Sequence, residues 1–351
     1  MRRQPLLGVQ RAGPPPEPPG KRIDDRYEAL RRFVGTGPGA PIDQALKAID
    51  GLRQKLDKIG TPAPGSALAA PVAPIGDDPV QLLREEAAGD PQPVARWLEA
   101  LAASGSALIY GDAQQQARNA FNASNGPAPL CQKAVPGRYP FDPGATNDIP
   151  LTDFAKLFSP GGLLDGFFNT WLQPYTDTSS PTHWTPRPVK GMPAPIAPAD
   201  LLQFQRAAVI RDLFFGAGGN TPSVRFDITP VSLDNEAKQV TLDLGDTPVT
   251  YAFGPPRATQ VTWPGPNGMS SARVVFDPPT SSETGVLQAT GPWALFRLFE
   301  KGRLQQQPGS TDLYALTFGA GGHQATFEIR AGSVQNPFAP GLLKGFQCPK
   351  L

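Results

Sequence analysis

The stretch from Cys131 to Trp171, CQKAVPGRYPFDPGATNDIPLTDFAKLFSPGGLLDGFFNTW, decides how this chain is interpreted. It is dense in aromatic residues and in turn-forming Pro and Gly, but it contains no catalytic grouping. Residues 138–141, Arg-Tyr-Pro-Phe, form a rigid apolar elbow with one fixed charge. Residues 148–158 and 159–172 predict two short amphipathic helices, the second with Ser159 as N-cap and Pro160 at its first position. The stretch therefore predicts architecture, not chemistry.

Helical periodicity extends over residues 23–215. Apolar residues recur every three or four positions over 41–59, and Gly60 follows as a stop signal. Other segments with helical spacing are 26–34, 79–88, 93–103, 113–122 and 200–215. In the segment 93–103, the side chains of Trp97, Leu98 and Leu101 are expected to face the core.

From residue 222 the period of the apolar residues changes from 3.6 to 2, which predicts strands. The alternating runs cover Val224–Ile228, Val240–Leu244, Val249–Phe253, Val261–Trp263 and Val274–Phe276. One short helix is predicted over 292–299, and a closing hairpin over 313–318 and 325–329. The predicted fold class is α+β, with an amino-terminal helical domain followed by an antiparallel β-sheet or sandwich domain that contains one short helix.

The expected domain organisation follows from these patterns. The helical domain covers 23–215, the β domain 216–336 and a carboxy-terminal tail 337–351. The segments expected to lack regular structure are a disordered Pro-rich lead-in over 1–22 and Pro-rich connections over 61–78 and 176–198.

Composition excludes several classes of protein. The chain has 351 residues, a net charge of +1, 43 prolines and 37 glycines. This charge provides no basic field for nucleic acid, and the high Pro and Gly content favours a segmented chain. No apolar run approaches the roughly 20 residues that span a bilayer. We therefore expect no nucleic-acid partner and no transmembrane helix in this sequence.

The candidate chemical motifs are weak. The pentapeptide Phe-Gly-Ala-Gly-Gly occurs at 215–219 and 318–322, but neither copy precedes Gly-Lys-Ser/Thr, so turns are favoured over phosphate loops. His183 and His323 have no Cys or carboxylate at metal-ligand spacing, and no Gly-x-Ser-x-Gly elbow is present. The sequence predicts no catalytic residue, cofactor, metal site or small-molecule substrate.

Several blocks nevertheless resemble one family. They are Arg138-Tyr139-Pro140-Phe141, Asp153-Phe154, Phe158-x-x-Gly-Gly, Phe204-Gln205-Arg206-Ala207-x-x-Ile210-Arg211 and Gly291-Pro292-Trp293-Ala294-Leu295-Phe296-Arg297-Leu298. Blocks of this kind follow one another in the same order in the carboxy-terminal region of the IcmF/TssM family. The resemblance covers roughly residues 20–351, and several blocks in order are much harder to obtain by chance than one tetrapeptide.

The resemblance implies a non-enzymatic scaffold, the periplasmic arm of the type VI secretion membrane core complex. Its implied partners are the outer-membrane lipoprotein TssJ, other copies of itself, and a TssL-type inner-membrane protein reached through an upstream region. The membrane anchors of the family also lie upstream. The nucleotide-binding motif of some members belongs to a cytoplasmic region, so no ATPase activity is expected here.

A periplasmic location bears on the two cysteines. In an oxidising compartment an even count favours a disulfide between Cys131 and Cys348. The tail after residue 336 has few apolar residues to hold it down, which also favours a covalent tie. Two free thiols remain the alternative, because separation in sequence does not give the distance between the two Cα atoms.

Some residues are candidates for contact or architecture. Arg257 and Trp263, near Pro-rich turns, are candidate lipoprotein contacts on the loops and edge of the β domain, although a tryptophan that ends a strand is more often a core residue. The residues assigned structural roles are Arg138, Tyr139, Phe141, Trp293 and Arg297. The alternative functions are a cell-wall hydrolase, which needs a cleft with paired carboxylates or a nucleophile and base, and a carbohydrate- or peptide-binding module, which needs an exposed aromatic platform.

Overall fold

The computed structural model describes residues 21–59, 78–188, 194–216, 218–278, 285–333 and 336–351. The lead-in and the first connection expected from the sequence lie outside these ranges except at their last residues. Within the described residues the chain forms two compact units that divide at residue 113. We call them the helical unit (21–113) and the mixed unit (114–351).

This division lies well before the boundary expected at residue 215. The helices that follow residue 114 share one hydrophobic core with the strands that follow residue 222, including Phe154, Phe214 and Phe226. The change in periodicity therefore marks a change of secondary structure inside one compact unit, and not a domain boundary.

The helical unit is built from helices α1 to α4. Their bounds are Lys21–Val34 for α1, Pro41–Ile59 for α2, Pro79–Gly89 for α3 and Val94–Asn122 for α4, which ends beyond the unit boundary. The bounds of α2 are those predicted. Helix α3 begins at an N-cap, where the side chain of Asp78 accepts a hydrogen bond from the backbone N–H of Val80.

Helix α4 is continuous where two separate helices were predicted over 93–103 and 113–122. The Ser- and Gly-containing residues between them suggest a break, but a Cβ added at Gly105 would lie only 2.7 Å from Cδ2 of Leu52 on α2. Glycine here allows the close approach of the Leu52 side chain to a regular helix, and it does not mark a turn.

The core-facing side of α4 also differs from the prediction. Leu98 is buried, with 2% of its surface exposed, but Trp97 and Leu101 are 59% and 42% exposed. The core of the helical unit uses Leu98 and Ala102 with Leu52 and Leu83. The prediction for Trp97 and Leu101 was wrong because the buried face of α4 centres on Leu98 and Ala102, and Trp97 and Leu101 are turned away from the centre of that face.

The mixed unit contains five further α-helices in its described residues. Their bounds are Pro127–Ala134 for α5, Leu151–Phe158 for α6, Leu163–Phe167 for α7, Pro198–Phe214 for α8 and Ala294–Lys301 for α9. A π-helical turn, Phe168–Leu172, and a 3₁₀ turn, Gln173–Tyr175, extend α7. The helix predicted over 159–172 therefore starts later than expected. Gly162 is its N-cap, and Ser159 instead caps the carboxy-terminal end of α6.

Eleven strands are present in the described residues. Their bounds are Thr176–Asp177 (β1), Thr185–Pro186 (β2), Val224–Leu233 (β3), Gln239–Leu244 (β4), Thr247–Tyr251 (β5), Thr259–Trp263 (β6), Ser271–Asp277 (β7), Val286–Thr290 (β8), Arg303–Gln306 (β9), Leu313–Ala320 (β10) and His323–Ala331 (β11). A five-stranded sheet has the order β6-β3-β11-β10-β9, and a four-stranded sheet has the order β5-β4-β7-β8. All pairings are antiparallel, so the predicted α+β class is confirmed.

The sheet prediction differs from the structure in three details. Strand β5 ends at Tyr251 and does not include Phe253, while β8 and β9 were not predicted. The short pair β1 and β2 lies in the Pro-rich segment that was expected to be irregular. Two-residue strands carry too little alternation to be recognised from sequence.

The hairpin that closes the sheet is confirmed. Strands β10 and β11 pair up to Ala320 and His323, which leaves Gly321 and Gly322 as the turn. Their φ angles are 60° and 78°, the left-handed values that a two-residue hairpin turn needs at both positions. The second Phe-Gly-Ala-Gly-Gly sequence is thus the end of a strand and its turn.

The inner faces of the two sheets belong to one core, with Ile228 and Phe327 from one sheet and Leu242 and Phe276 from the other. Helix α9 packs against β7 and β8 of the four-stranded sheet and β9 of the five-stranded sheet. No described helix has both the length and the apolarity needed to cross a bilayer.

Candidate interaction site and its structural support

The Arg-Tyr-Pro-Phe elbow is tied to the residues just before α6. The backbone N–H of Tyr139 donates to the carbonyl of Asn147 at 2.9 Å, and the N–H of Ile149 donates to the carbonyl of Tyr139 at 2.9 Å. Arg138 donates from Nη1 to the carbonyl of Asp148 at 3.2 Å. The elbow is therefore a fixed structural feature of the mixed unit.

Asp148 and Arg297 connect this elbow to helix α9. Arg297 donates from Nε to Oδ1 of Asp148 at 2.9 Å and from Nη2 to the carbonyl of Ala145 at 3.0 Å. Its guanidinium carbon lies 4.0 Å from the centre of the Tyr139 ring, so the cation also stacks on an aromatic face. The structural role expected for Arg297 takes the form of a largely buried ion pair. No role was predicted for Asp148.

Tyr139 is 1% exposed, and its hydroxyl makes no hydrogen bond to a described protein atom. Burial raises the pKa of this hydroxyl well above its ordinary value, and the nearby charge of Glu300 adds to the shift. Phe141 is buried as well and packs on Phe158 with ring centres 5.7 Å apart. Tyr139 and Phe141 thus act as packing residues.

Trp263 and Trp293 form the centre of the core. Both are 0% exposed, and their ring centres are 4.7 Å apart. Trp263 donates from Nε1 to the carbonyl of Pro292 at 3.1 Å, and Trp293 donates from Nε1 to the carbonyl of Ile149 at 2.9 Å. Trp263 was therefore wrong as a candidate partner contact, because its side chain faces the core where β6 meets α9.

Cys131 and Cys348 are joined by a disulfide in the structure, with their Cα atoms 5.8 Å apart. The tail that carries Cys348 is not held by this bond alone. Phe346 is 2% exposed and packs on Phe158, and the backbone N–H of Lys350 donates to Asp200 at 2.8 Å. The expectation that the tail lacks anchoring residues was therefore wrong.

The candidate contact surface is the loop 252–258, Ala-Phe-Gly-Pro-Pro-Arg-Ala, all of whose residues are exposed. We call it the Phe253 loop. It joins β5 to β6, which are edge strands of the two sheets. Arg257 lies in this loop, as the sequence suggested. Phe253 was missed because its alternation with Tyr251 predicted a strand, although the following Gly-Pro-Pro was a signal against one.

Phe253 has two unusual properties. Half of its surface is exposed, and its φ angle is 57°, a left-handed value that is costly for a bulky residue. Its ring centre lies 6.2 Å from that of Tyr251, which is half-buried. A large aromatic side chain is thus presented to solvent by a constrained backbone, beside Arg257 and two prolines.

His323 is the first residue of β11, next to the β10–β11 turn, and 3% of its surface is exposed. Its Nδ1 lies 3.1 Å from Oδ1 of Asp234, and its Nε2 lies 2.8 Å from the carbonyl oxygen of Pro278. Burial lowers the pKa of His323, but the hydrogen bonds with Asp234 and Pro278 outweigh it and raise the pKa above its ordinary value. The imidazole links three loops. No group of three or more His, Cys, Asp or Glu side chains within the described ranges could hold a metal ion.

Comparison with known proteins places these features in a family. The family model described as "Type VI secretion protein IcmF C2-like domain" matches residues 226–333, which hold the greater part of the two sheets. The type VI secretion system component TssM1 of Pseudomonas aeruginosa is 32% identical over 98% of this chain. The chain spans 32% of the length of that relative.

Solved structures show the same fold. One match is a chain of a type VI secretion system membrane core complex. The match covers 93% of this chain and 70% of that chain, with a TM-score of 0.72 and 19% identity. The C-terminal domain of the type VI secretion protein TssM from EAEC matches 68% of this chain and 96% of its own, with a TM-score of 0.55 and 22% identity. With the sequence match to TssM1 and the C2-like domain, these findings mean that the chain belongs to the IcmF/TssM family.

Proposed function

We propose that this chain is a non-enzymatic scaffold, a periplasmic arm of the type VI secretion membrane core complex. The observation that carries the proposal is the 32% identity to TssM1 across 98% of the chain. The fold likeness to a membrane core complex supports it. The disulfide between Cys131 and Cys348 fits an oxidising compartment such as the periplasm.

In this proposal the chain belongs to an inner-membrane protein whose anchor lies upstream. Its partners are the outer-membrane lipoprotein TssJ, further copies of the same chain and, through the upstream region, a TssL-type inner-membrane protein. The mechanism is docking and assembly, so the chain needs a rigid body that holds its contact surfaces in fixed relation. The ion pair between Arg297 and Asp148 and the shared core of the mixed unit support such rigidity.

The lipoprotein is proposed to dock on the Phe253 loop. Aromatic and Arg side chains are enriched among the residues that contribute most to protein interfaces. Phe253 and Arg257 lie four residues apart on one exposed loop, and the constrained backbone at Phe253 reduces the entropy lost when that side chain is fixed on binding. In the described part of the sheets, Phe253 is a single exposed aromatic and does not form the platform that a carbohydrate-binding module needs.

Binding between the purified chain and the soluble domain of the lipoprotein tests this assignment. Phe253→Ser and Arg257→Glu should each weaken binding at least about tenfold, because they remove interface anchors and leave the core intact. Val286→Ser is the matched control, since Val286 is 41% exposed on a different edge strand, β8. Equal binding by the two loop variants and the unchanged chain would exclude the Phe253 loop, and no binding by the unchanged chain would contradict the lipoprotein proposal itself.

A further inference from the structure

Strand β9 is the outer strand of the five-stranded sheet, at the edge opposite β6. Its pairing with β10 ends at Gln306 and Tyr314, and just beyond this pair the backbone N–H of Gln307 donates to the carbonyl of Leu313 at 3.0 Å. Because the direction of the backbone groups alternates along a strand, the N–H and C=O groups of Leu304 and Gln306 point away from β10. These groups form an open edge to which another strand can add.

A cavity of about 290 Å³ lies beside this edge. Leu304 lines it together with Phe299 of α9 and Phe338 of the tail, whose ring centres are 4.9 Å apart. In a sheet, the side chains of two directly opposed residues project from the same face. A residue that pairs with Leu304 at the open edge therefore places its own side chain beside Leu304, at the cavity. Pockets for whole small molecules start at about 300 Å³, so this cavity suits one long side chain.

The cavity combines aromatic walls with the carboxylate of Glu300. Burial raises the pKa of Glu300, and the charges of Arg297 and Lys344 offset this only in part. Arg297 is already paired with Asp148. The carboxylate therefore lacks a cation that would fully compensate its burial.

A long basic side chain fits both parts of this cavity. Its apolar stem can lie against the rings of Phe299 and Phe338, and its cationic head can donate to the carboxylate of Glu300. Tyr139, whose buried hydroxyl makes no hydrogen bond to a described protein atom, also lines the cavity. The cavity thus holds unfilled hydrogen-bonding capacity as well as unbalanced negative charge.

We propose that a segment of a partner protein adds to β9 as an extra strand, with an Arg or Lys side chain that enters the cavity and pairs with Glu300. Main-chain hydrogen bonds to Leu304 and Gln306 supply affinity, and the cavity selects the anchoring side chain. The site goes beyond the proposed function. It lies at the sheet edge opposite β6, which adjoins the Phe253 loop, so it can be tested separately from the lipoprotein surface.

Peptide binding to the full chain tests the anchor. The probe is a short, fluorescently labelled peptide of alternating valine and threonine with one central arginine, and its partner peptide carries citrulline, which has the same shape but no charge. Fluorescence anisotropy should show the arginine peptide binding at least about fivefold more tightly. Glu300→Gln should abolish this difference, because the two charges act as a pair. The matched control is Glu236→Gln, which removes an exposed carboxylate of the same unit and should keep the difference.

A proline tests the strand edge. Gln306→Pro removes an N–H that points away from β10, so the native ladder should remain intact, and proline is tolerated on edge strands. It should weaken binding of the arginine peptide at least about fivefold, because one main-chain hydrogen bond is lost. Gln306→Thr removes the same side chain but keeps the N–H, so its binding should match that of the unchanged chain.

Each outcome decides the inference. Preference for the arginine peptide that is lost in Glu300→Gln, with weaker binding in Gln306→Pro and neither effect in the two controls, supports it. Equal binding of the two peptides overturns the basic anchor, and an equal loss of preference in Glu236→Gln shows only general attraction between a cationic peptide and the chain. N-acetyl-arginine amide that binds as tightly as the peptide shows that the cavity takes a small cation alone, which overturns strand addition. No binding of the arginine peptide to the unchanged chain overturns the inference as a whole.

Discussion

Arg297 and Asp148 form an ion pair that joins helix α9 to the segment before α6, with Nε and Oδ1 2.9 Å apart. The two side chains are only 21% and 10% exposed. The second carboxylate oxygen of Asp148 lies 3.4 Å from the backbone nitrogen of Trp293, so the same residue also meets the start of α9. One carboxylate thus links the Arg-Tyr-Pro-Phe elbow to the helix that packs on both sheets.

Removing the cation should destabilise the mixed unit strongly. Arg297→Ala leaves the carboxylate of Asp148 buried without its partner, which typically costs about 3–5 kcal/mol. Arg297→Lys keeps the charge but loses the planar donors that reach the carbonyl of Ala145, so we expect a smaller loss of about 1–3 kcal/mol. Urea denaturation followed by tryptophan fluorescence measures both changes, because Trp263 and Trp293 lie beside this site.

The control for this prediction is an exposed pair in the same unit. Arg330 and Asp312 lie 3.3 Å apart with side chains 52% and 31% exposed. Arg330→Ala should cost about 1 kcal/mol or less, because solvent screens such pairs. Similar losses for Arg297→Ala and Arg330→Ala would show that the buried pair does not stabilise the connection between α9 and the elbow.

Gly291 should tolerate no side chain. Its φ angle is 100°, and an added Cβ would lie 2.5 Å from Oδ2 of Asp148. Gly309 is a matched control, with a φ angle of 81° and no atom within 4 Å of an added Cβ. We expect Gly309→Ala to cost about 1–2 kcal/mol from backbone strain alone.

Gly291→Ala should cost about 1–3 kcal/mol more than Gly309→Ala, because Asp148 must move away from its donors. Thermal unfolding of the two variants gives the comparison. Equal losses at the two glycines would mean that Asp148 can shift without losing its ion pair. A second test combines Gly291→Ala with Arg297→Ala, since their costs should add poorly if both act through Asp148.

Local signals predicted the elements whose pattern is repeated many times. Helix α2 has five intervals of three or four residues between apolar positions, and its predicted bounds are those observed. The hairpin at Gly321 and Gly322 combines alternating strands with two adjacent glycines, and it was also predicted correctly. In both cases each residue contributes to the same interpretation, so no tertiary contact is needed to decide it.

Tertiary contacts decided the features that sequence did not predict. Gly105 looks like a break until the approach of Leu52 is known, and Trp263 looks like a contact residue until α9 covers it. The role of Asp148 depends on Arg297, which is far away in sequence. Because such partners meet only in the folded chain, periodicity could give the elements of the fold but not its buried polar contacts or its unit boundary.

The disulfide between Cys131 and Cys348 is expected to form in oxidised protein and to stabilise the mixed unit. The bond closes a loop with a sequence separation of 217 residues. Restricting so long a loop in the unfolded chain is worth up to about 5 kcal/mol in the entropy model, and about 2–5 kcal/mol is a typical measured loss. Replacing both cysteines by serine should lower the free energy of unfolding by such an amount.

The tail should nevertheless remain docked without this bond. Phe346 packs on Phe158 with ring centres 5.0 Å apart, and the backbone N–H of Gln347 donates to Gln203 at 2.8 Å. Hydrogen exchange in the double serine variant should therefore still show protection at Gln347. Mass spectrometry of alkylated, non-reduced protein checks the bond itself: two alkylated cysteines in oxidised material would exclude it.

His323 should make stability depend on pH. Both of its ring nitrogens face acceptors, the carboxylate of Asp234 and the carbonyl of Pro278, so only the protonated ring can donate on both sides. Burial opposes the charge, but these hydrogen bonds and the nearby charge of Glu236 raise the pKa above its ordinary value of 6.5. The protonated ring therefore fastens the β10–β11 hairpin to the two loops that carry Asp234 and Pro278.

The sign of the effect follows from the raised pKa. The folded state binds the proton more tightly than the unfolded state, so the stabilisation is fully present below the unfolded pKa of about 6.5 and is lost as pH rises through the folded pKa. Unfolding midpoints of the unchanged chain, measured from about pH 5 to about pH 9, should fall as the pH rises through the pKa of His323 in the folded state. His323→Gln should flatten this fall, because an uncharged amide cannot lose a proton there, whereas the control His183→Gln, at an exposed position, should keep it. A profile that His323→Gln leaves unaltered would show that the imidazole of His323 does not gain its proton on folding.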